Sequence, residues 1–280
     1  LSVELPEAQI LAKQMNKELR GKHVRTTLLQ NSQKLQKIGF INKDLSDFAR
    51  LAEGRINSVV SRGNVIRVKL DNGVNLILAP EYGGKILYYA ENSPLPEKFH
   101  LKLDFTDGSA LTVALTGMGV IQALRDEELE QSYVYRRDFS ATASPTDDKE
   151  FTYEHFSKDL VSKNVNIKAV LVGKDAVIIG LSNSAFQDIL YRAGIHPKRK
   201  VSDLSENEKH QLFDAIKLVI QDRINSGGKA QFTDLYGKQG GYTSAMGPNM
   251  KEKNCPKCGN KVEKLSLGGG QVYFCPKCQY

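Results

Sequence analysis

All four cysteines of this 280-residue chain fall within its last 26 positions, as Cys255-Pro-Lys-Cys258 and Cys275-Pro-Lys-Cys278 with 16 residues between the pairs. Two intervening residues let a chain turn so that both thiolates of a pair face one ion, and two such pairs complete a tetrahedron. Val262–Ser266 and Gln271–Phe274 read as short strands joined through Leu267-Gly-Gly-Gly270, a hairpin that folds the second pair back onto the first. A module with so few apolar residues depends on the metal to fold. One structural Zn²⁺ on Cys255, Cys258, Cys275 and Cys278 is therefore expected, with no coordination position left for chemistry. Disulfides are the alternative, and they need an oxidising compartment. The first ten residues, which already hold Glu4, Pro6 and Glu7, do not read as an export signal.

The charge is distributed unevenly. Lysine and arginine match aspartate and glutamate at 20 each over residues 1–150, whereas residues 151–280 carry 19 against 12, so the whole surplus of seven lies in the second half. A basic surface of this kind attracts a polyanion through Coulomb forces and counterion release. No apolar run approaches the length of a membrane span; Asp175–Leu181 is among the longest. A soluble cytoplasmic chain is expected, with no membrane partner.

Periodicity divides the remainder. Residues 4–20 read as a helix entered through Pro6, with Ile10, Leu11, Met15 and Leu19 on its apolar face. From Ile56 to about Leu124 short alternating strands are punctuated by Arg62-Gly63, Asp71-Asn-Gly73, Gly83-Gly84 and Asp107-Gly108, the pattern of a β-sandwich or flattened barrel. Residues 133–150 lose periodicity and read as a linker. Helices follow over Tyr153–Lys163, from Ile167, over Ser184–Ala193, and from a capping box at Ser205-Glu-Asn-Glu208 to a stop at Gly227-Gly228. The turn Gly180-Leu-Ser-Asn183 at a helix start can present backbone N–H groups and an amide to a phosphate. The fold class expected is α+β and multidomain: a β-sandwich with a leading helix over 1–132, a linker over 133–150, a helical domain over 151–245 and the finger over 246–280.

Taken in order, Glu4-Leu-Pro-Glu7, Ile179-Gly-Leu-Ser-Asn183 followed by Asp188–Lys198, and the finger ending Tyr-Phe-Cys-Pro-Lys-Cys-Gln279 resemble the formamidopyrimidine-DNA glycosylase and endonuclease VIII family over essentially the whole chain. The resemblance implies a helix-two-turn-helix domain beside the zinc finger and binding of damaged duplex DNA. It also implies an N-terminal proline whose secondary amine attacks the sugar C1′, assisted by the next glutamate. Glu4 and Glu7 match the two N-terminal carboxylates, and Asn183 matches the phosphate-binding asparagine.

Four positions depart from the family pattern. Val3 stands where the proline belongs, preceded by Leu1 and Ser2. Arg62-Gly63-Asn64 replaces an Arg-Gly-Lys turn, so a neutral amide takes the place of a lysine at the DNA backbone. Thr116-Gly-Met-Gly-Val120 carries neither the arginine nor the phenylalanine that fills the hole left by an extruded base. The finger tip, Gly268-Gly-Gly-Gln271, has no arginine, although Lys257, Lys261 and Lys264 stand nearby. Tyr82 occupies roughly the place of an aliphatic void-filling residue and could stack on a base; an ordinary turn tyrosine is the alternative.

The losses concern covalent chemistry and base extrusion, and the survivals concern folding and grip. The leading expectation is a monomeric DNA-repair protein that binds damaged, distorted or branched double-stranded DNA without proline-based lyase chemistry, associated with the nucleoid if bacterial. The DNA contacts expected are Asn183, Arg62, Asn64, Tyr82, Lys257, Lys261, Lys264 and Gln271. A second expectation is a monofunctional glycosylase in which Glu4 or Glu7 activates water to release a labile base. A third is a scaffold that recruits partners.

Overall fold

The computed structural model of the chain describes residues 3–140, 144–161, 164–173 and 176–280. Leu1, Ser2 and the end of the helix expected up to Lys163 lie outside the described residues. Two compact units are formed, Leu1–Ala141 with Ser226–Gly241, and Thr142–Asn225 with Tyr242–Tyr280.

The first unit begins with helix α1 (Leu5–Leu19), which Pro6 enters near its N-terminus. Ala8, Leu11, Met15 and Leu19 are almost fully buried on the face turned toward the strands. Leu11, Met15 and Leu19 each stabilise the fold by roughly 1.5–3 kcal/mol relative to exposure. The chain continues through β1 (Val24–Leu29) and a short helix α2 (Ser32–Lys37) to β2 (Ile56–Arg62). Next come β3 (Val65–Leu70), β4 (Val74–Ala79), β5 (Lys85–Tyr89), β6 (Leu101–Phe105), β7 (Ala110–Ala114) and β8 (Val120–Arg125). These strands make two antiparallel four-stranded sheets, in the orders β1-β6-β7-β5 and β2-β3-β4-β8. Alternation marks β6, which is buried at Leu101, Leu103 and Phe105 with half-exposed residues between. Strand β4, paired on one edge with β3 and on the other with β8, is buried throughout.

The stretch expected to be a linker is partly core. Residues 133–135 form a single turn of helix, α3 (Tyr133–Tyr135), followed by a π-helical turn over Arg136–Ser140. Val134 and Tyr135 pack on Val65, Ile77, Ala79 and Leu129. Four apolar residues over seven positions show no period, and their partners lie more than fifty residues upstream in β3 and β4, so local pattern alone hides them.

The second unit holds α4 (Tyr153–Val161), α5 (Ile167–Leu171), α6 (Asn183–Ala193) and α7 (Glu206–Asn225). Ser182 caps α6 by accepting from Ser184 N–H, and Gly194 ends it in a left-handed conformation. The capping box foreseen at Ser205 and Glu208 is present in both directions. Phe186, Ile189 and Leu190 of α6 and Leu212, Ile216 and Val219 of α7 are buried. The chain closes with the hairpin β9 (Glu263–Leu267) and β10 (Gly270–Phe274). Among the described residues no helix is long and apolar enough to cross a membrane.

Segment 226–241 was assigned from sequence to the helical domain; its contacts are with the first unit. Gln14 of α1 donates to Asp234 Oδ2 at 2.8 Å and accepts from Leu235 N–H at 3.0 Å, while Tyr88 N–H of β5 donates to the Leu235 carbonyl at 3.0 Å. These partners are separated by well over a hundred residues, beyond the reach of any local rule.

Candidate functional site

The four cysteine sulfurs lie within 4.8 Å of one another. Cys255 and Cys278 are 3.8 Å apart and Cys258 and Cys275 3.5 Å, far too long for disulfides. Tetrahedral Zn–S bonds of about 2.3 Å require edges of about 3.8 Å, which this cluster matches. The chain holds one structural Zn²⁺. Gln187 of α6 ties the finger down by accepting Tyr273 N–H at 2.7 Å, and Gln279 donates to the Ile195 carbonyl at 3.0 Å.

At the N-terminus the acidic pair is buried. Glu4 is 1% exposed, Glu7 is fully buried and Val3 is 4% exposed. Glu7 Oε2 accepts Glu4 N–H at 3.2 Å, the return bond of a capping box, and Glu7 Oε1 accepts Lys229 N–H at 3.1 Å. The Lys229 ammonium donates to Glu4 Oε1 at 2.9 Å. Gly228 makes this approach possible. Its φ is +91°, and a Cβ there would stand 2.5 Å from the Phe232 ring and 3.2 Å from Glu7 Cγ. Read from sequence, Gly227-Gly228 is only a helix stop; here it also delivers a lysine to the N-terminal carboxylates. Lys229 was missed for want of a local signal beyond its place after two glycines.

Asn64 is turned inward. Its amide oxygen accepts from Arg137 at 2.7 Å, its N–H donates to Asp138 Oδ2 at 2.9 Å, and Arg137 reaches Glu81 at 3.2 Å as well as Asp138. Burial pushes the Asp138 carboxyl above its usual range, against the opposing pull of Arg137. One guanidinium faces two carboxylates, an arrangement unlike a phosphate site. Arg62, on the same turn, is half-buried.

Tyr82 and Met118 stand out from two neighbouring loops, at 51% and 53% exposure. Tyr82 N–H donates to the Met118 carbonyl at 2.8 Å, and Thr116 Oγ1 donates to the Gly83 carbonyl at 2.9 Å, so the loops are pinned together. The loop from Thr116 to Val120, which lacks the family's arginine and phenylalanine, displays a methionine beside the tyrosine.

Asn183 lies beneath the finger: a Cβ on Gly270 would fall 2.1 Å from its Nδ2. Lys168, buried in the first turn of α5, donates to the Leu267 carbonyl at 2.5 Å. Burial lowers its pKa. Sequence reasoning passed over Lys168, although it is the one charge in the apolar run Ile167–Leu171. Lys257, Lys261, Lys264 and Gln271 are all exposed on the finger, and Gln271 donates to Ser266 Oγ at 3.1 Å.

Three family models match in series. The formamidopyrimidine-DNA glycosylase N-terminal domain covers residues 3–115, the formamidopyrimidine-DNA glycosylase H2TH domain 143–234, and the zinc finger found in FPG and IleRS 253–279. The formamidopyrimidine-DNA glycosylase of Pelotomaculum thermopropionicum is 27% identical, with 99% of this chain and 98% of the relative covered. That of Streptococcus pneumoniae is 26% identical at the same coverage. The fold is that of Lactococcus lactis Fpg (MutM) solved with N7-benzyl-Fapy-dG-containing DNA, at a TM-score of 0.84 and 22% identity over 99% of both chains. The L. lactis Fpg complex with abasic-site DNA matches equally, at 0.84 and 21% over 99% of both. Sheet unit, helix pair and four-cysteine finger thus follow one another in the order of a single known architecture, and the chain belongs to the formamidopyrimidine-DNA glycosylase family.

Proposed function

We propose that this protein is a DNA-repair protein of the formamidopyrimidine-DNA glycosylase and endonuclease VIII type that binds damaged or distorted duplex DNA, branched forms included, as a monomer and without proline-based lyase chemistry. The observation that carries the reading is the N-terminal corner. Val3 supplies no secondary amine however the chain is processed, and Glu4 behind it is already paired with Lys229. Grip comes from the basic second half, through Lys257, Lys261 and Lys264 on the finger, which would neutralise phosphates without reading bases. Tyr82 and Met118 would test the stack for a weak step, since a base stacked on an aromatic ring contributes about 1–3 kcal/mol. In a bacterium such a protein works at the nucleoid.

Water activation by Glu4 or Glu7 has less support, because both Glu7 oxygens accept backbone N–H groups and Glu4 faces an ammonium. Gel-shift titration of intact, abasic, mismatched and four-way-junction DNA at several salt concentrations tests the proposal. Tighter binding to distorted DNA with a steep salt dependence is expected. Equal binding to every form, or a borohydride-trapped adduct on the N-terminal residues, would overturn it.

A further inference from the structure

Lys229 and Glu4 form an amine–carboxylate pair that DNA binding as such does not use. A buried ion pair is seldom retained for stability alone, since well-packed apolar residues of similar volume do as well or better. The pair is also fixed in place from both sides. Glu7 holds the Lys229 backbone N–H and the Glu4 N–H with its two oxygens, and Gly228 admits the close approach. The Lys229 side chain keeps 11% of its surface exposed and that of Glu4 only 2%.

A lysine beside a group that can take its proton is the arrangement that condenses with carbonyl carbon. Resting on the reading above, that damaged duplex DNA is the ligand, we infer that Lys229 forms an imine with the aldehyde C1′ of an abasic deoxyribose. Glu4 takes one proton from the Lys229 ammonium, and the Nζ lone pair adds to C1′ as the carbonyl π bond opens onto oxygen. The oxygen acquires protons from nitrogen and from Glu4 and leaves as water while the C=N bond closes. The products are a protonated imine, one water and the Glu4 carboxylate. No oxidant or metal enters the balance.

The test is borohydride trapping on a duplex with a single abasic site, followed by peptide mapping of the adduct, with gel shifts on the same DNA. The wild-type protein should give a trapped band, with the sugar remnant on Lys229. Lys229→Arg keeps the cation opposite Glu4 and cannot form the imine; it should lose the band. Glu4→Gln should slow trapping by about 100-fold. DNA binding without a trapped band, or trapping undiminished in Lys229→Arg, overturns the role of Lys229 and leaves the binding reading intact. No preference for damaged DNA in the gel shifts overturns the binding reading itself. An adduct mapped to the N-terminal residues overturns both.

Discussion

The N-terminal corner and the zinc finger use their lysines in opposite ways. In the finger Lys257, Lys261 and Lys264 are exposed, the Lys257 ammonium standing 4.7 Å over the Tyr191 ring, and their charge acts at a distance and is screened by salt. In the corner Lys229 points inward at Glu4, where its charge is cancelled at 2.9 Å and reaches little beyond the pair. Exposed charge and paired charge thus sit in separate regions of the chain. The finger is also held differently: a metal on four thiolates supplements a small apolar cluster of Tyr191, Met246, Val262 and Tyr273, where α1 is held by the packing of Leu11, Met15 and Leu19.

Removing the metal should break this contrast most severely. Chelation, or Cys275→Ser, is expected to unfold the finger, because structural zinc contributes on the order of 10 kcal/mol or more to such modules. Zinc content and protease cleavage after residue 251 report it; a finger that stays protease-resistant without metal would show that Tyr273 and Val272 suffice. Lys229→Met should be next, at about 3–5 kcal/mol in a denaturant melt, since it strands a buried carboxylate. The double variant with Glu4→Gln should recover much of that loss, and no recovery would mean that the pair is not coupled.

How far all this could be read beforehand depends on sequence separation. The zinc ligands, the α6 and α7 boundaries and the apolar face of α1 are legible because spacing, caps and periodicity act over a few residues. Lys229 meets Glu4 across 225 positions and Lys168 meets Leu267 across 99, and nothing local announces either meeting. Asn64 shows the converse. Its place in the β2–β3 turn was legible, but its inward direction depends on Arg137 and Asp138, more than seventy residues on.

Smaller effects sharpen the comparison. Replacing Lys257, Lys261 and Lys264 together by alanine should flatten the plot of log binding constant against log salt by about 3. An unchanged slope would move the grip elsewhere. Tyr82→Ala should weaken binding to distorted duplexes by about 1–3 kcal/mol and leave intact duplex unaffected. The smallest effect concerns Asp107. Burial opposes its ionisation, but hydrogen bonds from Lys22 and Ser109 and the Lys22 charge prevail and bring its pKa down to about 2. A carboxyl depressed on folding stabilises above its unfolded pKa and loses that contribution as pH falls, here from about 4 to about 2. Asp107 is 47% exposed, so the surface pair is screened and Asp107→Asn should cost under about 1 kcal/mol in melts at pH 7, and still less at pH 2.

The return of residues 226–241 to the first unit bears on how the chain is made. A ribosome releases α1 and both sheets long before Lys229 exists, and at ordinary synthesis rates the gap is on the order of ten seconds. During that interval Glu4 waits without the lysine that will face it. The nascent first unit is a different object from the finished one, and whatever chemistry the amine performs waits until the segment that carries it has been translated.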